Sequence, residues 1–523
     1  MRILPFGGDA VLVETASLAA SVALHRRLVD AAPPGLIDVV PAARSVLLVL
    51  DPAVLSPAAA RAWVEAQAAA PARTPAPGEL VEVPIVYDGE DLGDTARLLG
   101  LSEDALVARH LGAEWTVAFT GFAPGFGYLT SAEWDLDVPR RASPRSRVPA
   151  GAVGLAGGFS GAYPRPTPGG WQLIGRTPAV LFDPHASTPA LLRPGMRVRF
   201  VHDEATARRS AATGAPGVAA DAVEREAAVP SAAMDERAAL RVVAPGARST
   251  LQDAGRPARA SEGIAVSGAA DAEALRRANR LVGNSPAAAG VEVLLGGFRA
   301  VAETDLWIAL TGASGRGLID DRPVPWNEAV PWPAGAELAL PPFAHGARAY
   351  LGVRGGAGGP LIAGSRATDT LAGIGGADLA AGDVIALADD IDGEIPALDI
   401  RPWTLPDDGE LILDLEPGPR ADWFAPEALA LLRSATWTVS DAADRVGVRL
   451  DGPELVRTRA GELVSEGMRP GALQVPPAGR PVVLGVDGPV TGGYPVIAVA
   501  TRASLDALAQ ARPGVRIRFR TAR

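Results

Sequence analysis

The chain has 523 residues, a formal net charge of −11, no cysteine and no lysine, so all 49 basic residues are arginine. The length implies about three to five domains, and the acidic balance without a basic block argues against nucleic acid as a partner. The missing cysteine excludes disulfides, thiolate nucleophiles and thiolate metal sites. The missing lysine excludes a Walker-A phosphate loop, Schiff-base chemistry and a biotin attached to this chain.

No apolar run approaches the roughly 20 residues a membrane span needs. The start, MRILPFGGDAVLVE, does not read as a secretion signal, so the cytoplasm is the expected location. The five histidines (His25, His110, His185, His202 and His345) show no close metal-ligand spacing, and no metal site is assigned.

The first 76 residues read as a small α+β domain in the order β-α-β-β-α. Strands are predicted at Ala10–Glu14, Leu36–Val40 and Ser45–Leu50. Leu18, Val22, His25, Leu28 and Val29 share one helical face, and Ser56-Pro57 supplies an N-cap and first-turn proline for a second helix. APARTPAPG then reads as a stiff linker.

From residue 79 to 204, LVEVPIVY opens a segment in which glycine and proline recur every few residues, the pattern of short strands in a barrel or sandwich. One helix, Ser102 to His110, interrupts it. Residues 205–235 are alanine-rich, without apolar periodicity, and read as an interdomain linker. Beyond it, Asp271 can cap a helix whose Ala274, Leu275, Ala278, Leu281 and Val282 face a core and which Gly283-Asn284 stops.

A repeat links the two ends of the chain. RPGMRVRF (Arg193–Phe200) and RPGVRIRF (Arg512–Phe519) alternate apolar residues with arginines, as a half-buried strand does. Each follows a similar turn, SGAYP at Ser160 and TGGYP at Thr491, which argues for related barrels in the two halves. LAAGDVIAL (Leu379–Leu387) is a weaker third match.

Candidate chemistry lies in the loops. FTGFAPGFGYL (Phe119–Leu129) mixes turn-forming glycines with aromatic residues, which suits either a loop pinned to a core or a backbone that a ligand approaches. Arg140, Arg141, Arg145, Arg147, Arg165 and Arg176 follow among further glycines, and guanidinium forks with backbone N–H groups suit a carboxylate or phosphate. A glycine-rich barrel with solvated arginines explains the same pattern. Gln252, Asp253 and Arg256 lie in a loop, Ser365, Arg366 and Asp369 sit beside glycines, and Glu466 and Asp487 are possible general acids or bases. GASGRG at Gly312–Gly317 misses the nucleophile elbow because Arg316 stands where glycine is required.

GFAPGFGYL, PRRASPRSRVPAGAVGLAGG and TPGGWQLIGRTP resemble a family known as the 5-oxoprolinase B subunit, the first subunit of allophanate hydrolase or the sporulation-kinase inhibitor. LQDAGRP, SGAADAEALRRANRLVGN, GSRATDTLAGIGG and GALQVPPAGRPVVLGVDGPVTGGYP resemble its companion, the 5-oxoprolinase C subunit. Both occur here fused, and the same pair forms the carboxyltransferase region of biotin-dependent urea carboxylase. The chain departs from the family pattern at Ala270, and at Gly488 and Pro489, which replace a polar pair.

The resemblance implies a mainly β protein: an N-terminal ferredoxin-like α+β domain followed by three cyclophilin-like β-barrels, one at 79–204 and two in the second half at 236–395 and 396–523. It implies ATP- and Mg²⁺-dependent opening of the 5-oxoproline lactam to glutamate with a separate A subunit. A carboxyl transfer to a small amide, with biotin on another chain, is the alternative, and a kinase-inhibiting module the third. Self-association remains open.

A pocket shared by the two halves would explain their fusion, since a short tether raises effective concentration to the millimolar range. One side is expected to contribute Arg145, Arg147, Ser160, Tyr163 and Arg176. The other is expected to contribute Gln252, Asp253, Ser365, Arg366, Asp369, Glu466, Gln474, Thr491 and Tyr494. Asp253, Glu466 and Asp369 are the candidate catalytic carboxylates.

Overall fold

The computed structural model describes residues 1–70, 78–203 and 238–522, apart from 142, 144, 187, 400, 407, 460 and 462. The linker expected at 205–235, and nearly all of that expected at 70–78, lie outside the described residues. Among the described residues, no helix is long and apolar enough to cross a membrane.

The N-terminal unit is a four-stranded antiparallel sheet ordered Arg2–Pro5, Ala10–Glu14, Ser45–Leu50, Leu36–Pro41. The strand Arg2–Pro5 precedes the first one expected, so the order is β-β-α-β-β-α. Its proline and short apolar run hide the alternation that marks the other strands. The helices Leu18–Asp30 and Pro57–Ala69 begin at Ser17 and Ser56, whose side chains each accept the N–H three residues on. Along Ala10–Glu14 the side chains alternate: Val11 and Val13 pack under the helices with Leu24, Leu28 and Val64. Ala10 and Leu12 face the other way, with Phe6, Val40 and Leu47, against Met468, Leu484, Val496 and Val499 of the last barrel. The first and last units of the chain therefore share a core. Salt bridges from Arg469 to Asp9 and from Arg420 to Glu14 border it.

The next unit is a seven-stranded sheet whose edge strands, Leu80–Ile85 and Gln172–Arg176, are brought together by a bridge between Val86 and Arg176. Its interior packs Trp115, Val117, Leu155, Ile174 and Phe200. Besides the expected helix, found at Glu103–Gly112, a second one forms at Leu92–Leu98.

The middle unit faces a six-stranded sheet against a five-stranded one around Leu240, Val291, Phe298, Leu310, Trp332 and Leu351. The last unit is a closed seven-stranded barrel.

The repeated RPG segment occupies equivalent places in the two barrels. Arg197–His202 runs parallel to Leu80–Ile85 and antiparallel to the strand of Trp115. Arg516–Thr521 runs parallel to Glu410–Pro417 and antiparallel to the strand of Trp437. Each tryptophan donates its indole N–H to a carbonyl five residues upstream, His110 at 3.1 Å and Leu432 at 3.0 Å. The third match, Val384–Ala386, pairs antiparallel to Ala238–Pro245 and does not occupy that place.

Candidate functional site

The glycine- and aromatic-rich stretch is a hairpin, Trp115–Gly121 then Ala123–Thr130, turning at Phe122. Its aromatic residues are anchors: Phe119 stacks on Tyr128 at 4.3 Å between centroids, and Phe126 meets Tyr163 and Trp171 edge-on at 5.1 and 5.4 Å. Its backbone is approached closely, by the other half of the same chain. A Cβ at Gly121 would lie 2.1 Å from Thr491 Oγ1. Phe122 holds a positive φ of 66°, uncommon outside glycine, and its N–H donates to that same hydroxyl at 3.2 Å. Nearby, Thr120 Oγ1 donates to the Ser261 carbonyl and Ala260 N–H donates to Asp38 at 3.0 Å. The seam between the halves is thus built from backbone contacts that only small residues allow.

Beside this seam lies a buried polar cluster. Asp369 and Asp487 are both fully buried and Arg256 is 1% exposed. Asp369 Oδ1 accepts the N–H groups of Leu371 and Ala372, while its Oδ2 meets no protein partner among the described residues. Arg256 uses Nε and Nη2 on the carbonyls of Ile362, Ser365 and Ala367, leaving Nη1 buried and unmatched. From the first half, Arg165 donates Nη2 to the Leu371 carbonyl and leaves Nε buried and unmatched. Both guanidinium groups feel the charge of Asp369. Buried polar atoms in folded proteins are usually paired, so one unmatched acceptor beside two unmatched donors has the character of a binding site.

Asp487 sits at the heart of a network joining the last two units. Arg445 reaches it through Nε at 2.9 Å and Nη2 at 3.0 Å, and reaches Glu292 through Nη1 at 2.8 Å. Its Nη2 also donates to the Gly268 carbonyl at 2.6 Å. Ser267 Oγ and both donors of Thr370 complete the shell of Asp487.

The neighbouring carboxyls are driven apart. Burial, and then the charge of Asp487, push Asp369 up to about 6. Burial also works to raise Asp487, but Arg445 and the donors around it hold it below the usual carboxylate range. Divergent environments of this kind separate a proton-carrying acid from a permanently ionised one.

The other expected site residues are dispersed. Arg145 is largely buried against Asp91, also reaches Glu90, and leaves Nη1 buried without a partner among the described residues; Arg176 binds Asp88 on the surface of the first barrel, and Arg147 is exposed. Ser160 is inside that barrel, 2.8 Å from His110 Nε2, whose Nδ1 is 2.7 Å from the Tyr87 hydroxyl. Burial lowers His110 to about 3, so this imidazole is neutral.

Tyr163 belongs to the aromatic anchor. Asp253 accepts from Ser365 Oγ, Gly255 N–H and Arg366 N–H, which makes it the organiser of its loop. Gln252 donates to Thr250 and to the Thr368 carbonyl, and Arg366 reaches Asp390. Glu466 pairs with Arg420, Gln474 points at Met468, and Thr491 serves the seam while Tyr494 is exposed. Of the fourteen, Asp369 is the one placed in the unmatched cluster. Arg165 and Arg256 stand in the stretches read from sequence without being selected, and Arg445 lies in a loop that carries no motif.

Among the described residues, no three His, Asp or Glu side chains gather as metal ligands do. The unmatched arginine donors fit an anionic oxygen, whether carboxylate, phosphate or developing oxyanion.

The chain is similar to known proteins over nearly its full length. Residues 1–192 match the family model "Carboxyltransferase domain, subdomain C and D", and residues 262–521 match "Carboxyltransferase domain, subdomain A and B". It is 38% identical to the 5-oxoprolinase C subunit of Escherichia coli strain K12 over 285 residues, 54% of this chain and 90% of that protein. It is 44% identical to the 5-oxoprolinase B subunit of Escherichia coli O157:H7 over 186 residues, 34% of this chain and 82% of that protein. The crystal structure of a protein called TTHA0988 superposes with a TM-score of 0.84 at 37% identity, covering 98% of this chain and 99% of that one.

Proposed function

The chain belongs to the carboxyltransferase-domain family, as a fusion of its B-like and C-like halves, and from that premise we propose that it is the B-plus-C component of an ATP-dependent 5-oxoprolinase. In this reading it opens the 5-oxo-L-proline lactam to glutamate with a separate A subunit as partner. The observation that carries the reading is Arg165. It leaves the B-like half, binds the Leu371 carbonyl of the C-like half and sits beside Asp369, so one site needs both halves.

The chemistry follows from the residues present. Ring opening breaks the lactam C–N bond, places the oxygen of water on carbon and leaves nitrogen in need of a proton. Asp369, raised to about 6, is partly protonated near neutrality and can deliver or remove a proton. Asp487 stays ionised and, through Thr370, fixes the turn that carries Asp369. The free donors of Arg165 and Arg256 receive the substrate carboxylate or the oxyanion that develops at the carbonyl.

The resemblance brings in Mg²⁺ and ATP, whose terminal phosphoryl group would be transferred to the lactam oxygen, releasing ADP, and would leave with that oxygen as phosphate once water has added to the carbon. No three-ligand metal group is found among the described residues, so no step is assigned to the metal. Asp369 and Asp487 are wholly enclosed, so this reading requires the turn over residues 363–375 to move for substrate to enter.

The test is reconstitution: the folded chain, its cognate A subunit, ATP and 5-oxoproline, with glutamate and ADP measured together. A stable complex that forms no glutamate refutes the proposal. The family's description as a carboxyltransferase favours a second reading, carboxyl transfer to a small amide. That reading requires turnover to depend on a biotinylated partner, because this chain has no lysine to carry biotin.

A further inference from the structure

Away from the seam, a well-formed cavity of about 500 Å³ lies between the two units of the C-terminal half. That is the size range of small-molecule sites. Its floor is the start of the helix Ala272–Leu281, one wall is the helix Arg502–Ala509, and the segment 402–406 crosses its mouth. The walls are mostly apolar, with Leu411, Ala503 and Ala507 on one side and Trp403, 44% exposed, at the entrance. This cavity contains none of the residues assigned to the seam site.

Its unmet polar capacity is of one kind. Asp271 accepts the Ala274 N–H at 2.9 Å and the Gln510 side-chain N–H at 2.7 Å, and among the described residues it has no ion pair. Asp506 accepts the Ala272 N–H at 3.0 Å, and its ion pair is Arg502 at 3.9 Å, a side chain 60% exposed. Asn327 presents a buried side-chain oxygen with no protein partner among the described residues. The cation in the lining, Arg277, is engaged at the mouth, where it donates to the Pro402 carbonyl at 2.8 Å and lies over the Trp403 ring at 5.8 Å. What is missing is therefore a positively charged donor in direct contact with Asp271. Burial raises both Asp271 and Asp506, and the charge of Asp506 raises Asp271 further; Asp506 has the exposed Arg502 as its counter-ion, and Asp271 has none in contact among the described residues.

We propose that this inter-barrel cavity is a second binding site, taking a small organic cation whose ammonium group faces Asp271, Asp506 and Asn327 and whose apolar body lies against Leu411, Ala507 and Trp403. The apolar walls favour a hydrocarbon or aromatic body over a hydrated metal ion, and the indole at the mouth suits a cation that passes it.

The experiment is isothermal titration of the full chain at pH 7.5 with phenethylammonium, set against two matched probes, 2-phenylethanol and 3-phenylpropionate. Saturable binding of the ammonium ion, at least tenfold tighter than either companion, is expected. Asp506→Asn keeps the acceptor for Ala272 while removing the charge, and should weaken the ammonium ion at least tenfold. Ala503→Trp, at an exposed position, fills the mouth and should abolish binding. The absence of saturable binding to the parent chain overturns the proposal, as does equal binding of the alcohol or the acid. Unchanged affinity in a folded Ala503→Trp or Asp506→Asn variant overturns it too.

Discussion

Replacing Arg445 by methionine isolates the electrostatics that join the last two units. Arg445 is buried between Glu292 and Asp487, themselves buried, and contributes hydrogen bonds to both and to the Gly268 carbonyl. Removing it strands Asp487 and leaves Glu292 with Arg348 alone, at 3.5 Å. Breaking a buried pair by deleting one partner costs about 3–5 kcal/mol, because the remaining charge is uncompensated. Asp487 is the anion left without a cation, while Glu292 retains Arg348, so that range applies once. Arg480→Met, which breaks an exposed pair with Asp451, is the control and should stay within about 0.5 kcal/mol.

The pH dependence gives a second reading of the same loss. In the parent, Glu292 and Asp487 are held low, so their pairing stabilises the fold above the unfolded carboxylate pKa and is lost as pH falls through the folded value. Without Arg445, burial raises both groups, so the variant is penalised most at high pH and relieved as they protonate. Urea unfolding of both proteins at pH 8 and pH 5 should show a wide gap that narrows on acidification. Equal midpoints at pH 8, or a gap that does not narrow, would refute the assignment of this network as a charge-compensated core.

Gly121→Ala places a methyl group against Thr491 and should destabilise by about 1–3 kcal/mol, with Thr491→Gly recovering part of it in a double-mutant cycle followed by urea unfolding. Phe6→Ala opens the core shared by the first and last units and should cost about 3–5 kcal/mol in the same assay. Arg165→Lys keeps the charge and loses the fork, so turnover in the reconstituted assay should fall at least tenfold. Arg176→Lys, on a surface pair with Asp88, should leave turnover unchanged. Asp369→Asn should abolish turnover. It should also flatten the stability profile between pH 4 and 7, because a carboxyl raised to about 6 makes the parent less stable as pH rises through that window.

Local physics was legible in the chain. The strands Ala10–Glu14 and Ser45–Leu50 follow from their apolar runs. The caps at Ser56 and Asp271 follow from side chains that reach a nearby N–H. The alternation in RPGMRVRF and RPGVRIRF told of matching strands because a half-buried strand must alternate. The resemblance of the quoted motifs identified the family.

What surrounds each element was not legible. AVLV at Ala10–Val13 is apolar on both faces, yet nothing in those residues says that one face meets helices and the other a barrel more than 450 residues away. Gly121 looks like any turn glycine until Thr491 is seen against it. Single arginines carry no periodicity, so Arg165 and Arg256 stood among the loop candidates without being placed in the site, and Arg445 carried no signal in the sequence. Charge acquires its energetic meaning from burial and from its partners, and both are properties of the folded chain. Asp369 is drawn toward neutrality and Asp487 held ionised because the fold gives them different surroundings, although it brings them together from 118 residues apart in sequence.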